Sequence, residues 1–209
     1  LQLEDKWILS KYNDVVKSVT ENLDKFELGI ALSNLYDFIW ENFCDWYIEL
    51  VKPRLFDKEN PTGKTAQYVL TYVLSNTMKL LHPFMPFITE EIWQHLPHEG
   101  ESIMISEWPE YDEKLNFPKD VESMELIMQS ISAIRNRRAE MNVPPSKKAK
   151  VIIVTDKTDV FEQGTAFFEK LASASEAVVQ TDKSGISDNA VNVVVPSAEV
   201  FLPLDELVD

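Results

Sequence analysis

Residues 26–53 read FELGIALSNLYDFIWENFCDWYIELVKP, and this stretch decides the fold. Its polar side chains recur every four residues, which places them on one narrow stripe of a helix: Ser33, Asp37, Glu41, Asp45 and Glu49. Nearly all the other side chains are large and apolar. A helix that is apolar over most of its circumference needs neighbours on most sides. We therefore predict a central helix sheathed by other helices and ended by Pro53, whose ring removes a hydrogen-bond donor.

Four further segments predict helices around this one, because their apolar residues recur at i, i+3, i+4 and i+7. They are residues 4–25, 65–81, 86–97 and 119–141. Pro86 suits the first turn of its helix, where a missing N–H is tolerated. The irregular segment 98–118 is expected to lie over the bundle, with a short extended piece at 103–105 and with Trp108 and Tyr111 as anchors.

The pattern changes after Pro144 and Pro145, where β-branched residues become frequent. The sequence there predicts a strand, a helix, a second strand, a hairpin and the start of another helix, at residues 150–156, 160–172, 177–180, 190–202 and 203–209. The predicted fold class is therefore mainly α. An antiparallel helical bundle spans residues 1–145, and a small α+β subdomain of order β-α-β-β-β spans residues 146–209.

The composition indicates a globular protein, with 44% hydrophobic and 26% charged residues. The net charge of −15 argues against broad affinity for nucleic acid or acidic membranes. No apolar run reaches the roughly 18–20 residues of a membrane span. The lone Cys44 excludes an internal disulfide and is expected to be a small buried hydrophobe. The chain begins with Leu1 and lacks a signal-peptide pattern, so we expect it to be a piece of a longer protein.

The sequence predicts no active site. It contains neither a Gly-rich phosphate loop nor G-x-S-x-G. Glu90 and Glu91 are adjacent and so diverge on a helix. Pro97 lies between His95 and His98 and ends the helix, so we predict surface histidines and no shared metal. We therefore predict no catalytic, cofactor-binding or metal-binding residues.

One basic segment stands out in this acidic chain. Six cations lie close together with one carboxylate, Glu140: Arg135, Arg137, Arg138, Lys147, Lys148 and Lys150. Arg135 and Arg138 fall on the apolar helix face, which favours internal pairing with carboxylates or carbonyls. Arg137, Lys147 and Lys148 are expected to be exposed, and there they could bind a phosphate backbone.

Aromatic residues are dense on the first two helices, and most are expected in the core. Trp7 and Tyr12, near one end of the bundle, are the candidates for stacking on unpaired bases, together with the neighbouring Lys11. The complete set of candidate nucleic-acid contacts is Trp7, Lys11, Tyr12, Arg137, Lys147 and Lys148.

Five stretches resemble the C-terminal part of valyl-tRNA synthetases, which are class I aminoacyl-tRNA synthetases. They are LEDKWILSKYNDVV (3–16), FIWENFCDWYIELVKPRL (38–55), KLLHPFMPFITEEIWQHLP (79–97), ESIMISEWP (101–109) and AIRNRRAEMNVPPSKK (133–148). The third is shared loosely with the isoleucyl and leucyl enzymes, whereas FCDWYIE and IRNxRAExNVPPSKK point to valine. The resemblance covers essentially the whole chain. Its end, VFLPLDELVD (200–209), resembles the link to that family's coiled-coil arm.

The resemblance implies an anticodon-binding module of a valine–tRNA ligase that uses ATP with Mg²⁺. The family's HIGH and KMSKS motifs and its editing domain are absent from this sequence. The implied partners are tRNA(Val) and the catalytic and editing domains of the same polypeptide, in a cytoplasmic, monomeric enzyme without membrane contact. Much of the family's base contact comes from a preceding helix with an Arg-Phe pair, which cannot be assigned here. The alternatives are a purely structural helical domain that docks other protein domains without direct RNA contact, and the equivalent domain of an isoleucyl or leucyl enzyme.

Overall fold

A computed structural model describes residues 1–207 of the chain, which form a mainly helical fold with one small sheet. The helices are α1 (Leu3–Asp24), α2 (Leu28–Asp37), α3 (Ile48–Phe56), α4 (Gly63–Leu81), α5 (Pro86–Gln94), α6 (Pro118–Glu140), α7 (Thr158–Glu162), α8 (Thr165–Leu171) and α9 (Leu204–Leu207). A π-helical segment, Phe38–Tyr47, joins α2 to α3. The strands are β1 (Ala149–Val154), β2 (Ala174–Gln180), β3 (Val191–Val195) and β4 (Ala198–Leu202). The predicted fold class is confirmed.

The chain divides into two compact units, Leu1–Asp120 and Val121–Asp209. In the first unit α1 packs against α2, the π segment and α4. The core of this unit is built from apolar and aromatic side chains that are almost completely buried, among them Trp7, Ile8, Tyr12, Val16, Leu35, Tyr47, Leu50, Val69, Val73 and Leu80. The helices predicted over residues 4–25, 65–81 and 86–97 all form, with ends shifted by only a few residues.

The central helix differs from its prediction in two ways. It is not regular, because the Ile48 N–H bonds to the Phe43 carbonyl five residues back, as a π-helix requires. It is also not sheathed on most sides: Ala31, Leu35 and Phe38 are buried, but Tyr36 and Trp40 on the other side are more than half exposed. The helices of this unit cover one face of the central helix and leave an apolar stripe on the opposite face.

Pro53 does not end the central helix, which continues to Phe56. Proline cannot donate to the carbonyl one turn back, so it costs a hydrogen bond. The last turn is held instead by Arg54, which donates to Glu4 Oε1 and Asp5 Oδ1 at 2.8 Å and to Asp5 Oδ2 at 2.9 Å. It also donates to the hydroxyl and carbonyl of Thr62, and Tyr47 donates to Asp5. This buried network ties the end of α3 to the starts of α1 and α4.

The segment 98–118 lies over the bundle, as predicted. Trp108 Nε1 donates to Thr20 Oγ1 at 2.9 Å, and Asn13 exchanges two 2.9 Å hydrogen bonds with the backbone of Asp112. Tyr111 is the weaker anchor, with Lys17 Nζ 5.7 Å from its ring centre. The predicted extended piece at 103–105 is wrong. Ile103–Ile105 is a 3₁₀ turn, because the Ser102 side chain accepts from the Met104 N–H and tightens the backbone.

The second unit contains residues 121–140 of α6 and a four-stranded mixed sheet of order β2-β1-β4-β3. β1 pairs parallel with β2 and antiparallel with β4, and β3–β4 is the predicted hairpin, with Ser197 at φ 64° in its turn. The predicted helix over 160–172 is broken into α7 and α8 at Gly164. A Cβ on Gly164 would lie 2.8 Å from Ile127 Cγ2, so this close approach requires glycine.

The division of the chain at 120/121 differs from the predicted boundary at 145/146. Residues 121–140 of α6 belong with the sheet because Ile127 packs on Gly164 and Arg135 Nε donates to the Leu171 carbonyl at 2.6 Å. The predicted helix at 203–209 begins as α9, and its residues 208–209 lie outside the described part. Within residues 1–207, no helix combines the length and apolar character needed to cross a bilayer.

Candidate nucleic-acid interface

The aromatic candidates on α1 do not fit the structure. Trp7 is 1% exposed and Tyr12 is 2% exposed, so neither ring has a free face for a nucleobase. Both rings are packed in the core of the first unit, where large side chains fill space. Lys11 lies between them in sequence and is half-buried. Base stacking on Trp7 or Tyr12 is therefore excluded in this conformation, and the role of Lys11 stays a prediction.

The two arginines predicted to be internal behave differently. Arg138 is buried and donates through one guanidinium nitrogen to the carbonyls of Pro144 and Lys147, so it clamps the loop that follows α6. Burial lowers the pKa of this guanidinium, which nevertheless stays charged at neutral pH. Arg135 is exposed, although its Nε donates to the Leu171 carbonyl. Internal pairing is therefore confirmed for Arg138, whereas Arg135 bonds the backbone from the surface.

The three cations predicted to face solvent remain candidate phosphate contacts. Arg137 is exposed and forms a 3.0 Å ion pair with Glu140, its neighbour one turn on. Such an exposed pair is weak, so a phosphate could replace Glu140. Lys148 is exposed and Lys147 is half-buried. Because the loop they share is clamped by Arg138, these lysines follow α6 in a defined position.

The histidines and the cysteine have ordinary local roles. The Nδ1 atoms of His95 and His98 lie 2.8 Å from the carbonyls of Glu91 and Leu96, and the His98 ring stacks on Trp93. No cluster of three His, Cys, Asp or Glu residues that could hold a metal occurs among residues 1–207. Cys44 is half-buried rather than buried, and burial followed by the charge of Asp45 raises the pKa of its thiol.

The structure shows a candidate nucleic-acid surface on α4 that the sequence analysis did not identify. α4 and its flanks, residues 60–89, contain no Asp or Glu, although the chain has 35 acidic residues in 209. The charged residues of α4 are Lys64 and Lys79. A phosphate backbone approaching this helix therefore meets weak positive charge, in contrast to the acidic excess of the chain as a whole.

Two tyrosines form the exposed part of this surface. Tyr68 is 70% exposed and its ring stacks on that of Tyr72, with centroids 6.3 Å apart and planes inclined by 15°. Tyr72 in turn meets the buried Tyr12 edge-on at 5.7 Å, which fixes its position. Burial raises the pKa of Tyr12 and of Tyr72, so both hydroxyls stay uncharged at neutral pH. Tyr68 thus offers a free aromatic face on a rigid support.

A groove of about 560 Å³ follows the same side of α4. Its polar lining includes side chains that can bond base edges or phosphates: Lys64, Gln67, Tyr68, Thr71, Tyr72 and Asn76. Two hollows adjoin the groove, and both contain carboxylates. Lys64 and Gln67 border the first, which is also lined by Asp57 and Glu59. Ser75 and Pro97 border the second, which is also lined by Lys79, His98, Glu99 and Glu107. We call the groove of about 560 Å³, without the two hollows, the α4 groove. The acid-free run at 60–89 was the sequence signal that could have revealed it.

The chain matches the family described as the anticodon-binding domain of tRNA ligase over residues 5–153. It belongs to that family.

Similar proteins are named valine–tRNA ligase. That of Clostridium perfringens (strain 13 / Type A) is 53% identical over 209 residues, which cover 99% of this chain and 24% of that protein. That of Clostridium acetobutylicum is 51% identical with the same coverage, and that of Bacillus anthracis is 46% identical over 208 residues. The resemblance to valyl-tRNA synthetases is therefore confirmed. The chain spans 24% of the length of these relatives.

Proposed function

We propose that this chain is the anticodon-binding part of a valine–tRNA ligase and that it holds tRNA(Val) through the α4 groove and the cations after α6. The family match over residues 5–153 is the observation that carries the proposal. The exposed Tyr68 ring on an acid-free helix gives it a physical basis, because unpaired bases stack on aromatic faces in loops of RNA.

The proposed function assigns no chemical step to this chain. The reaction takes place in the rest of the longer ligase of which this chain is a part, which we call the parent protein. Aminoacylation with ATP and Mg²⁺, and editing, belong to domains outside these residues, and we assign no ATP or Mg²⁺ ligand to this chain. We propose that the parent acts as a monomer in the cytoplasm. This chain contributes binding energy at a distance from the reaction, which positions the acceptor end of the tRNA.

The α4 groove is tested by measuring the affinity of the chain for a tRNA(Val) transcript by gel shift at low and moderate salt. Stacking of one base on Tyr68 is worth about 1–3 kcal/mol, so Tyr68→Ala should weaken binding by about 5- to 150-fold. Lys64→Glu should weaken it as well. A tRNA with a substituted anticodon is the ligand control and should bind more weakly than tRNA(Val).

Tyr36→Ala is the matched protein control, since Tyr36 is 59% exposed in the same unit but lies beside Asp37 and Glu41. It should leave the tRNA affinity unchanged. If Tyr68→Ala and Tyr36→Ala both bind as the wild type does, the α4 groove is not the interface. If the wild-type chain shows no shift with tRNA at low salt, the proposed function itself fails for the isolated chain.

A further inference from the structure

Four apolar side chains on the outer face of the central helix are left uncovered by residues 1–207. Leu28, Leu32, Tyr36 and Trp40 recur every four residues and are 54, 39, 59 and 53% exposed. The Tyr36 and Trp40 rings lie against each other, with centroids 6.1 Å apart. We call this row the α2 stripe. The opposite face of the same helix, with Ala31 and Leu35, is completely buried.

The α2 stripe is unlike scattered surface hydrophobes. Four-residue spacing places its members one above another, so they form one ridge about 18 Å long. Large contiguous apolar patches on a protein surface mark places where another macromolecule binds. Trp40 belongs to the π segment, and wider helical turns of this kind are frequent at functional sites.

The charges beside the α2 stripe favour protein over nucleic acid. Asp37 and Glu41 are exposed and lie next to Tyr36 and Trp40 along the helix. Such carboxylates repel a phosphate backbone, which makes this face the opposite of the α4 groove. They would pair with Lys or Arg at the rim of an apolar protein surface.

The small size of the stripe favours a partner in the same polypeptide. A stable complex between separate proteins buries about 1,200–2,000 Å², more than four side chains on one helix supply. A tethered partner needs much less area, because the covalent link raises its effective concentration to the millimolar range. The relatives are about four times as long as this chain, since the match covers 24% of each.

We propose that the α2 stripe is an intramolecular docking surface, which packs against an apolar, basic-rimmed surface elsewhere in the full-length parent protein. The proposal rests on the chain being part of a longer ligase but not on its binding of tRNA. Docking there would fix the direction in which the α1–α5 unit presents its α4 face.

Hydroxyl-radical footprinting, without tRNA, tests the proposal by comparing the isolated chain with the full-length parent. Oxidation of Tyr36 and Trp40 should be about fivefold or more slower in the parent, because side chains at the centre of an interface are excluded from water. Tyr68, which is 70% exposed, should oxidise equally in both proteins. Equal oxidation of Tyr36 and Trp40 in the two proteins would overturn the proposal.

Two other occupants give different patterns, and each would also overturn it. Protection that appears in the isolated chain only when tRNA is added would make the stripe a nucleic-acid surface. Protection in the isolated chain that grows with protein concentration would make it a contact between copies. Tyr47, which is completely buried, is the internal reference for folding of the isolated chain.

A substitution in the parent protein tests docking of the α2 stripe even if the isolated chain does not fold. Trp40→Glu should lower the thermal midpoint of the parent, because it buries a charge in the docked interface, whereas Tyr68→Glu should not. Equal midpoints for the two variants would contradict docking. In the isolated chain Trp40→Glu should leave tRNA affinity unchanged, so failure of docking and failure of tRNA binding are separate results.

Discussion

Arg54 shows how a single residue holds three helices of the first unit together. All five of its N–H donors are used: one by Glu4, two by Asp5 and two by Thr62. Burial raises the pKa of Glu4 although the charge of Arg54 opposes that shift. The network thus contains two buried carboxylates and one cation, and removal of the cation leaves both carboxylates without a counter-charge.

We expect Arg54→Met to lower the free energy of unfolding of the first unit by about 3–5 kcal/mol, the usual cost of breaking a buried ion pair by removing one partner. Glu4→Gln should cost less, because it removes the carboxylate whose ionised form burial disfavours. All five tryptophans lie in residues 1–120, so urea unfolding followed by tryptophan fluorescence reports this unit alone.

Lys52→Met is the matched control for Arg54→Met, since it removes a cation two residues away whose ion pair with Glu49 is partly exposed. Its effect should stay within about 1 kcal/mol. A loss for Lys52→Met as large as that for Arg54→Met would mean that general charge, rather than the buried network, stabilises the unit.

The sequence could not predict this network, nor which of the arginines would be buried. Arg54 follows a proline, and its partners are 49 and 50 residues away, so no local pattern reveals the pairing. Arg135 and Arg138 share a predicted helix face, yet only Arg138 is buried. The difference comes from the loop after α6, whose carbonyls turn back towards Arg138.

At the scale of elements, periodicity located almost every helix and strand and failed where an element changes its local geometry. The π segment was missed because its residues have ordinary helix propensity, and only the five-residue step between the buried Phe38 and Phe43 marks it. The extent of the exposed α2 stripe was also missed. A single sequence shows that a face is apolar, but it does not show which element covers that face.

The break between α7 and α8 gives an element-scale prediction. Gly164→Ala should destabilise the second unit by about 1–3 kcal/mol, because the added Cβ would sit 2.8 to 3.0 Å from three atoms of Ile127. Hydrogen exchange of the β1 amides measures this loss, since the tryptophans and tyrosines of the chain lie in residues 1–120.

Gly29→Ala is the matched control for Gly164→Ala. Gly29 lies inside α2 and an added Cβ there meets nothing within 4 Å, so this change should stabilise the first unit by about 0.5–1 kcal/mol. The double variant Gly164→Ala/Ile127→Val should recover part of the loss, because the smaller side chain relieves the contact. Absence of any recovery would show that backbone geometry, and not Ile127, demands glycine at 164.

At the scale of the whole molecule, the attraction of RNA depends more on where the charges lie than on the net charge. The net charge of −15 predicts weak attraction for RNA overall. The acid-free α4 groove and the cations Arg137, Lys147 and Lys148 are the local exceptions, one in each unit. Under the proposed function the acidic remainder serves specificity, because an RNA bound in any other position would meet like charge.

The salt dependence of tRNA binding tests this picture. Each phosphate neutralised contributes about −0.7 to −0.9 to the slope of log K against log salt, so the triple variant Arg137→Glu/Lys147→Glu/Lys148→Glu should make the slope shallower by about 2–3. A control with the same change in net charge is Lys25→Glu/Lys114→Glu/Lys170→Glu, at exposed sites outside both surfaces. It should weaken binding at low salt through the overall field but change the slope by less than about 1. Equal slopes for the two triple variants, or unaltered tRNA charging by the full-length parent carrying the first set, would show that the segment after α6 makes no phosphate contact.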